Sequence, residues 1–579
     1  MERQKETLFY SNDFEGVRSA PDPFILFDDG YFYLYSTEIK NGILKGYRSR
    51  DFAHWEDLGV IYERDESYWA SGRFWAPRVL KYPKDGKYYL YCACSGDGVI
   101  GLPEGTNLEK GTPLYASVIM DRLHLTVLVA DHPAGPFREW TGKRNLEKFY
   151  HGESLGVSDD EVTLTSGPMF DFANAPAGWE TNRAHFERNG TNIFAQLDPC
   201  PFLDDDGTLY LYFVRSRDLN DNVGKHGCWG IKMLDPVTPD YRTLSWLTQP
   251  GYYTVGGEPS PITIDDEIIN EGVFMQKHTT VRPNGESVTK YYLTYTRCGM
   301  GCAYYSACLA LADAPLGYAK GSKEAKNGGF KKVPPQYGNP IHYIEAINDY
   351  GTHFSSAPSY DLFEATGNAV FFSAGEENFL VSLCTVKIPE KKSRNFVVDR
   401  WTWKYNEQLR LDIPHSNGPT QASLQPCPFV ATGYKNIAGR AVASVDRGEK
   451  TERLNNGFVA LHPRDDSEVF YAEGKFSVTL SFGTAHAVRA ILVYNTWDKS
   501  RAFKKIDKIV LKNGEDVSCK KDIPFPQEYL TADGALRPGG AAIWEFEEQQ
   551  VKEITLRFSE NMQKNANGIG IADIVVLGR

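Results

Sequence analysis

PDPFILFDDGYFYLYST (21–37) joins a short apolar run to a turn carrying Asp-Gly or a similar Gly and then to an aromatic strand, and the chain writes that phrase five times. The other copies are APRVLKYPKDGKYYLYCACS (76–95), DPCPFLDDDGTLYLYFVRS (198–216), EGVFMQKHTTVRPNGESVTKYYLTYT (271–296) and APSYDLFEATGNAVFFSA (357–374). Period-two alternation between Gly, Pro and Asp turns marks strands. A second strand pattern follows each copy: 43–62, 125–140, 229–244, 304–320 and 379–396. Four strands per unit result, and convincing helix patterns are nearly absent. One four-stranded unit cannot bury both of its faces, whereas units set radially can. The expected fold is all-β: a five-bladed β-propeller over residues 1–405.

The rhythm changes after that. IPHSNGPTQASLQP (413–426) reads as linker, placed at 406–429. Strands of alternating pattern then recur, among them FSVTLSF (476–482), VRAILVYNTW (488–497) and GIGIADIVVLGR (568–579). Such strands without helices predict an antiparallel, jelly-roll-like sandwich over 430–579. The longest gap between copies, 141–197, is polar and reads as a loop on one face of the ring.

Composition narrows the partners. Net charge is −12 with no basic cluster, which argues against nucleic acid or an anionic membrane surface. No apolar run is long enough to cross a bilayer. The opening MERQKETLFYSND has no apolar core of a signal peptide. Two placements stay open: secreted or periplasmic with a leader removed, or cytoplasmic. Oligomeric state is not legible. Aromatic residues make up 13% of the chain, which suits both pleated strands and a sugar ligand. The ten cysteines are scattered; Cys298, Cys302 and Cys308 form the one cluster, without a second pair at zinc-ligand spacing.

Three copies carry an acid at their start: Asp22, Asp198 and Glu271. Asp22 and Asp198 precede Pro, which disfavours the right-handed helical region for its predecessor, so both are expected extended at the head of an inner strand. Glu271 reads as the same place in copy four. The other two copies show Ala76-Pro77 and Ala357-Pro358 instead. Acids needed only to start strands would recur in all five. A ring would gather the three carboxyl groups at its axis.

These motifs resemble glycoside hydrolase family 43, enzymes acting on sugars of plant cell walls. The resemblance covers about 1–405 and rests on APDPF with Asp22, FWAPRV (74–79), LDPCPFLDDDGTLYLYF with Asp198, EGVF with Glu271, and GTHFSSAP (351–358). It implies an inverting hydrolase, with Asp22 as general base, Glu271 as general acid, and Asp198 orienting Glu271 and raising its pKa by like charge. It implies an oligo- or polysaccharide substrate, with release of terminal α-L-arabinofuranosyl or β-D-xylosyl units. It also implies a metal, Ca2+, near His353 at the propeller centre, structural or electrostatic in role, and no organic cofactor. Trp75, and more weakly Phe74, would face the sugar. The alternatives are a galactosidase- or galactanase-type enzyme, a retaining invertase-like propeller, and a propeller that binds carbohydrate without cleaving it. Residues 430–579 resemble the discoidin, or coagulation factor 5/8 C-terminal, sandwich through RLNNGFVAL (453–461) and the closing strands. That module would bind sugar through Tyr494 and Trp497, or serve only as a buttress.

Overall fold

The computed structural model describes residues 7–12, 17, 19–38, 42–70, 72–95, 123–141, 169, 196–215, 227–248, 252–255, 258–261, 270–297, 305–318, 328–333, 363–388, 391–418, 424–459, 468–496, 498–530, 534, 536, 539–564, 566 and 568–579. Five four-stranded antiparallel sheets account for the repeats. Their innermost strands are Phe24–Asp28, Gly72–Lys81, Gln196–Leu203, Asn270–Val281 and Phe363–Ala374, in blades 1 to 5. Each inner strand contacts that of the next blade, and the fifth contacts the first, so the ring closes.

Apolar faces fill the wedges between blades. One buried cluster joins blades 2, 3 and 4 around Tyr91, Leu211, Trp229 and Leu293. A second joins blades 5, 1 and 2 around Phe32, Phe52, Leu90 and Phe379. A polar bolt repeats across the wedges. Tyr35 donates its hydroxyl to the Pro133 carbonyl at 2.6 Å, Tyr91 to Pro236 at 2.9 Å, and Tyr212 to Pro315 at 2.8 Å. Each ties the second strand of one blade to the turn after the third strand of the next. Such a bond, with its partner buried, contributes about 1 kcal/mol net.

The chain ends its circle by pairing distant segments. Phe9–Ser11 pairs with Leu424–Pro426. The Tyr10 hydroxyl donates to the Val398 carbonyl, and Asn12 both donates to Asp399 Oδ1 and accepts from the Val398 N–H. Part of the predicted linker is therefore sheet: Leu411–Ser416 is the outer strand of blade 5.

Beyond the propeller, one antiparallel sheet of eight strands surrounds a separate apolar core that includes Phe470, Val478, Ile491, Phe503 and Ile554. Its long strands, Phe476–Asn495 and Ala541–Phe558, break register between Ser481 and His486 and again between Val488 and Ala490. Those breaks let one ribbon serve two layers, as the predicted sandwich requires.

One local device recurs in every blade. From Leu197↔Val214 to Cys200↔Tyr212 the inner strand advances three residues while its neighbour advances two. The same extra residue appears at 271–274, 75–78 and 367–370. In blade 1 it lies between the Thr37 N–H to Pro21 carbonyl bond and the Phe24↔Tyr35 pair. The extra residue always has a left-handed backbone: φ is 51° at Asp22, 45° at Ala76, 51° at Asp198, 59° at Gly272 and 49° at Asn368. These are β-bulges, which re-aim side chains at barrel rims and sites.

The bulges correct three sequence expectations. Asp22 and Asp198 are not extended, because Pro disfavours the right-handed well of its predecessor but leaves the left-handed one open, and Asp tolerates that well. Glu271 is not at their phase; its neighbour Gly272 is. Copy five is displaced: Gly367-Asn368, not Ala357-Pro358, stands at the equivalent place, and its hairpin turns at Gly375 instead of at ATGN.

Gly272 has no room for a side chain. A Cβ there would lie 2.7 Å from Thr296 Oγ1 and 2.9 Å from Asn368 Cα, on a backbone already at positive φ. Gly272→Ala is expected to lower stability by roughly 1–3 kcal/mol in urea unfolding, and Gly207→Ala, whose turn is open, by less.

Candidate active site

The five bulges form two stacked rings of residues around the axis. The first positions are Pro21, Trp75, Leu197, Glu271 and Gly367; the second are Asp22, Ala76, Asp198, Gly272 and Asn368. All three acids named from the sequence stand in these rings, and each acts electrostatically on another across the centre.

Asp22 is the best-supplied carboxylate. Its Oδ1 accepts from Arg394 Nη2 at 2.6 Å and from Asn368 Nδ2 at 3.2 Å, and its Oδ2 accepts from the Thr37 hydroxyl at 2.7 Å. The Thr37 oxygen accepts in turn from the Ala76 N–H at 2.8 Å, so its proton is directed at Asp22. The Asp22 side chain stays 13% exposed and Arg394 30%, so both can meet a ligand.

Asp198 is deeper, at 7% exposure, and its Oδ2 accepts from the Gly272 N–H at 2.9 Å. Burial first, and the Asp22 charge second, push its pKa up to about 6; the Gly272 N–H and the Arg78 and Arg394 charges oppose this. Glu271, half-buried, is pushed up to about 8 by burial above all, then by Asp198 and Asp22; a hydrogen bond from Tyr305 pulls the other way. The like-charge effect expected of Asp198 is present but ranks second to desolvation.

Under this group lies a cation that never meets solvent. Arg78 is 0% exposed. It donates Nη1 to the Pro23 carbonyl at 3.4 Å and Nη2 to Asn368 Oδ1, while its Nε lacks a partner among the described residues. Because Arg78 takes the Asn368 oxygen, the amide must present its NH2 to Asp22. The guanidinium thus fixes Asn368 and counters the Asp198 and Asp22 charges from below.

The aromatic candidates separate. Trp75 shares the ring position of Glu271, is half-buried, and carries the Arg73 guanidinium 5.3 Å from its ring centroid. Phe74 is 1% exposed and packs edge-on against Tyr62 in the core at 5.3 Å, so it cannot line a pocket. His353 lies outside the described residues, as does Trp497, and among the described residues no group of three His, Cys, Asp or Glu is placed to hold a metal. Tyr494 is 2% exposed, with its hydroxyl donated to the Leu424 carbonyl, and serves as a buttress.

Four residues of this site escaped sequence reading. Arg78 stands inside the quoted FWAPRV, and Asn368 inside copy five at the wrong phase. Arg394 and Tyr305 lie in ordinary strand surroundings with no local signal.

The family model described as glycosyl hydrolases family 43 matches residues 17–149, which carry Asp22, Trp75 and Arg78. That match spans blades 1 and 2 of the propeller. No curated protein matches it. Among solved structures, a thermostable family-43 glycoside hydrolase is 21% identical with a TM-score of 0.45, covering 72% of this chain and 99% of its own. An endo-1,4-beta-xylanase from Bacteroides thetaiotaomicron is 18% identical (TM-score 0.41, covering 72% and 99%). An alpha-L-arabinofuranosidase from Lactobacillus brevis is 15% identical (TM-score 0.41, covering 72% and 100%). None is near enough to lend its activity to this chain.

Two outcomes follow for this site. Glu271 binds its proton more tightly folded than unfolded, so its contribution to stability falls as pH rises from the ordinary carboxyl range through about 8. Glu271→Gln should therefore melt about 2–4 °C above wild type at pH 9 and show no such gain at pH 4, by scanning calorimetry. Arg78→Met, which keeps the volume and loses the charge, should lower kcat/KM on the order of 10²-fold by freeing the Asn368 amide. Arg78→Lys should recover part of it.

Proposed function

We propose that the chain hydrolyses glycosidic bonds of plant cell-wall-type glycans with inversion, releasing terminal α-L-arabinofuranosyl or β-D-xylosyl units. The observation that carries this reading is the contrast between two carboxyl groups at one centre. Burial keeps Glu271 protonated near neutral pH, whereas Asp22 gathers three donors, one of them cationic. One is suited to give a proton and the other to take one.

Glu271 donates its proton to the leaving glycosidic oxygen as the bond to the anomeric carbon breaks. Asp22 removes a proton from a water that attacks the opposite face of the sugar. Asp198 stays anchored on the Gly272 N–H and holds Glu271 in its protonated form through its field. Trp75 offers an aromatic wall on the blade beside Asp22. The choice of arabinosyl or xylosyl units rests on the family resemblance of the quoted motifs. The Ca2+ expected at His353 supplies no step in this scheme.

NMR of the first product formed from an aryl α-L-arabinofuranoside or aryl β-D-xyloside tests the scheme. The inverted anomer is expected; a retained one would remove the single-displacement assignment. Glu271→Gln should lose at least about 10³-fold in kcat while keeping sugar affinity. In the wild type, kcat/KM should fall as pH rises through about 8, because the donor proton is then lost.

A further inference from the structure

The described part of the sandwich contains an open groove of about 1070 Å³, remote in sequence from the propeller acids. Its walls carry four cations, Arg447, Lys450, Arg453 and Arg501, against two carboxylates, Glu449 and Glu473. In a chain of net charge −12 that local excess is unusual.

Two of the four cations, Arg447 and Lys450, face the groove without a partner on its described walls. Among the described residues, neither the Arg447 guanidinium nor the Lys450 ammonium has an ion-pair or hydrogen-bond partner. Arg453 spends Nη1 on the Val469 carbonyl at 3.0 Å, which pins it to the wall. Arg501 lies 4.4 Å over the Tyr471 ring, with its Nε 3.5 Å from Asp498, and remains about half exposed. The wall itself is fixed. Glu449 bridges Tyr471 in the backbone, and a Cβ on Gly448 would come within 2.7 Å of the Phe470 ring.

We propose that this groove binds a carboxylate-bearing sugar, a uronic acid unit of a glycan chain. Guanidinium forks match a planar carboxylate and recognise it in two parallel hydrogen bonds. Glu449 and Glu473, on the same walls, accept hydrogen bonds from sugar hydroxyls. The same two carboxylates repel a phosphodiester backbone or an anionic lipid surface, where every ligand group is an acceptor. A ligand with both an anionic group and several hydroxyl donors fits the mixture. The site would hold the enzyme on acidic regions of a glycan, independently of the cleavage scheme above.

Isothermal titration of the full chain carrying Glu271→Gln, so that no probe is cleaved, tests this. Galacturonic acid oligomers, neutral galactose oligomers of equal length, sulfated galactose oligomers and a short DNA duplex are compared at low salt. The galacturonic oligomer is expected to bind at least about tenfold more tightly than the others, and more weakly as NaCl is raised. The Arg447→Ala/Lys450→Ala double variant should lose about tenfold in that affinity, and Arg501→Gln alone should weaken it too. In the otherwise wild-type chain, both variants should hydrolyse aryl glycosides unchanged, which shows them folded. Equal affinity for neutral oligomers, tighter binding of the sulfated oligomer or the duplex, absence of binding, or variants that bind as well as the parent would each overturn the proposal.

Discussion

The site depends on one backbone constraint: an additional residue in each inner strand, held at positive φ, five times around one axis. A regular strand alternates its side chains between faces, so a strand buried on both sides would aim a carboxylate into one wedge or the other. The bulge breaks that alternation where the strands reach the axis. The left-handed well restricts the second position to residues that tolerate it, and Asp, Asn and Gly occupy four of the five. Acid chemistry and bulge geometry therefore favour the same residues. That coincidence lets a propeller present polar groups at its centre without tearing its sheets.

Burial then sets the electrostatics. A carboxylate taken from water without compensation is costly, and the site answers this differently for each acid. Asp22 is compensated by Arg394, Asn368 and Thr37. Asp198 receives one backbone donor and the field of Arg78. Glu271 receives a hydrogen bond from the Tyr305 hydroxyl, lies near two like charges, and keeps its proton. Arg78 is itself a buried charge whose Nε has no partner among the described residues, tolerable because two carboxylates lie nearby. The centre is a balanced set of charges, none of which would be stable there alone.

Much of this was legible in the sequence because propeller strands carry their own punctuation. The Asp-Gly turns at 29–30 and 206–207 gave both strand boundaries and blade phase. Copy five misled because ATGN imitates such a turn, while the true hairpin at Gly375 lacks the Asp. The one-residue offset of Glu271 was hidden for a related reason: a bulge adds a residue without changing composition. Phe74 and Trp75 are neighbours of like type, and only their position in the bulge sends one to the core and the other toward the axis. Arg394 was unreadable because its partner lies 372 residues away.

The strand pairing of Phe9–Ser11 with Leu424–Pro426, and of Asn12 with blade 5, has a consequence for biosynthesis. The residues that complete the circle emerge from the ribosome before their partners, which come more than 380 residues later. Until then, blade 1 lacks the cover that blade 5 gives an apolar flank containing Phe32, Phe52 and Trp55. A nascent chain in that condition must be shielded from its neighbours, and translation pauses before residue 400 would prolong its exposure.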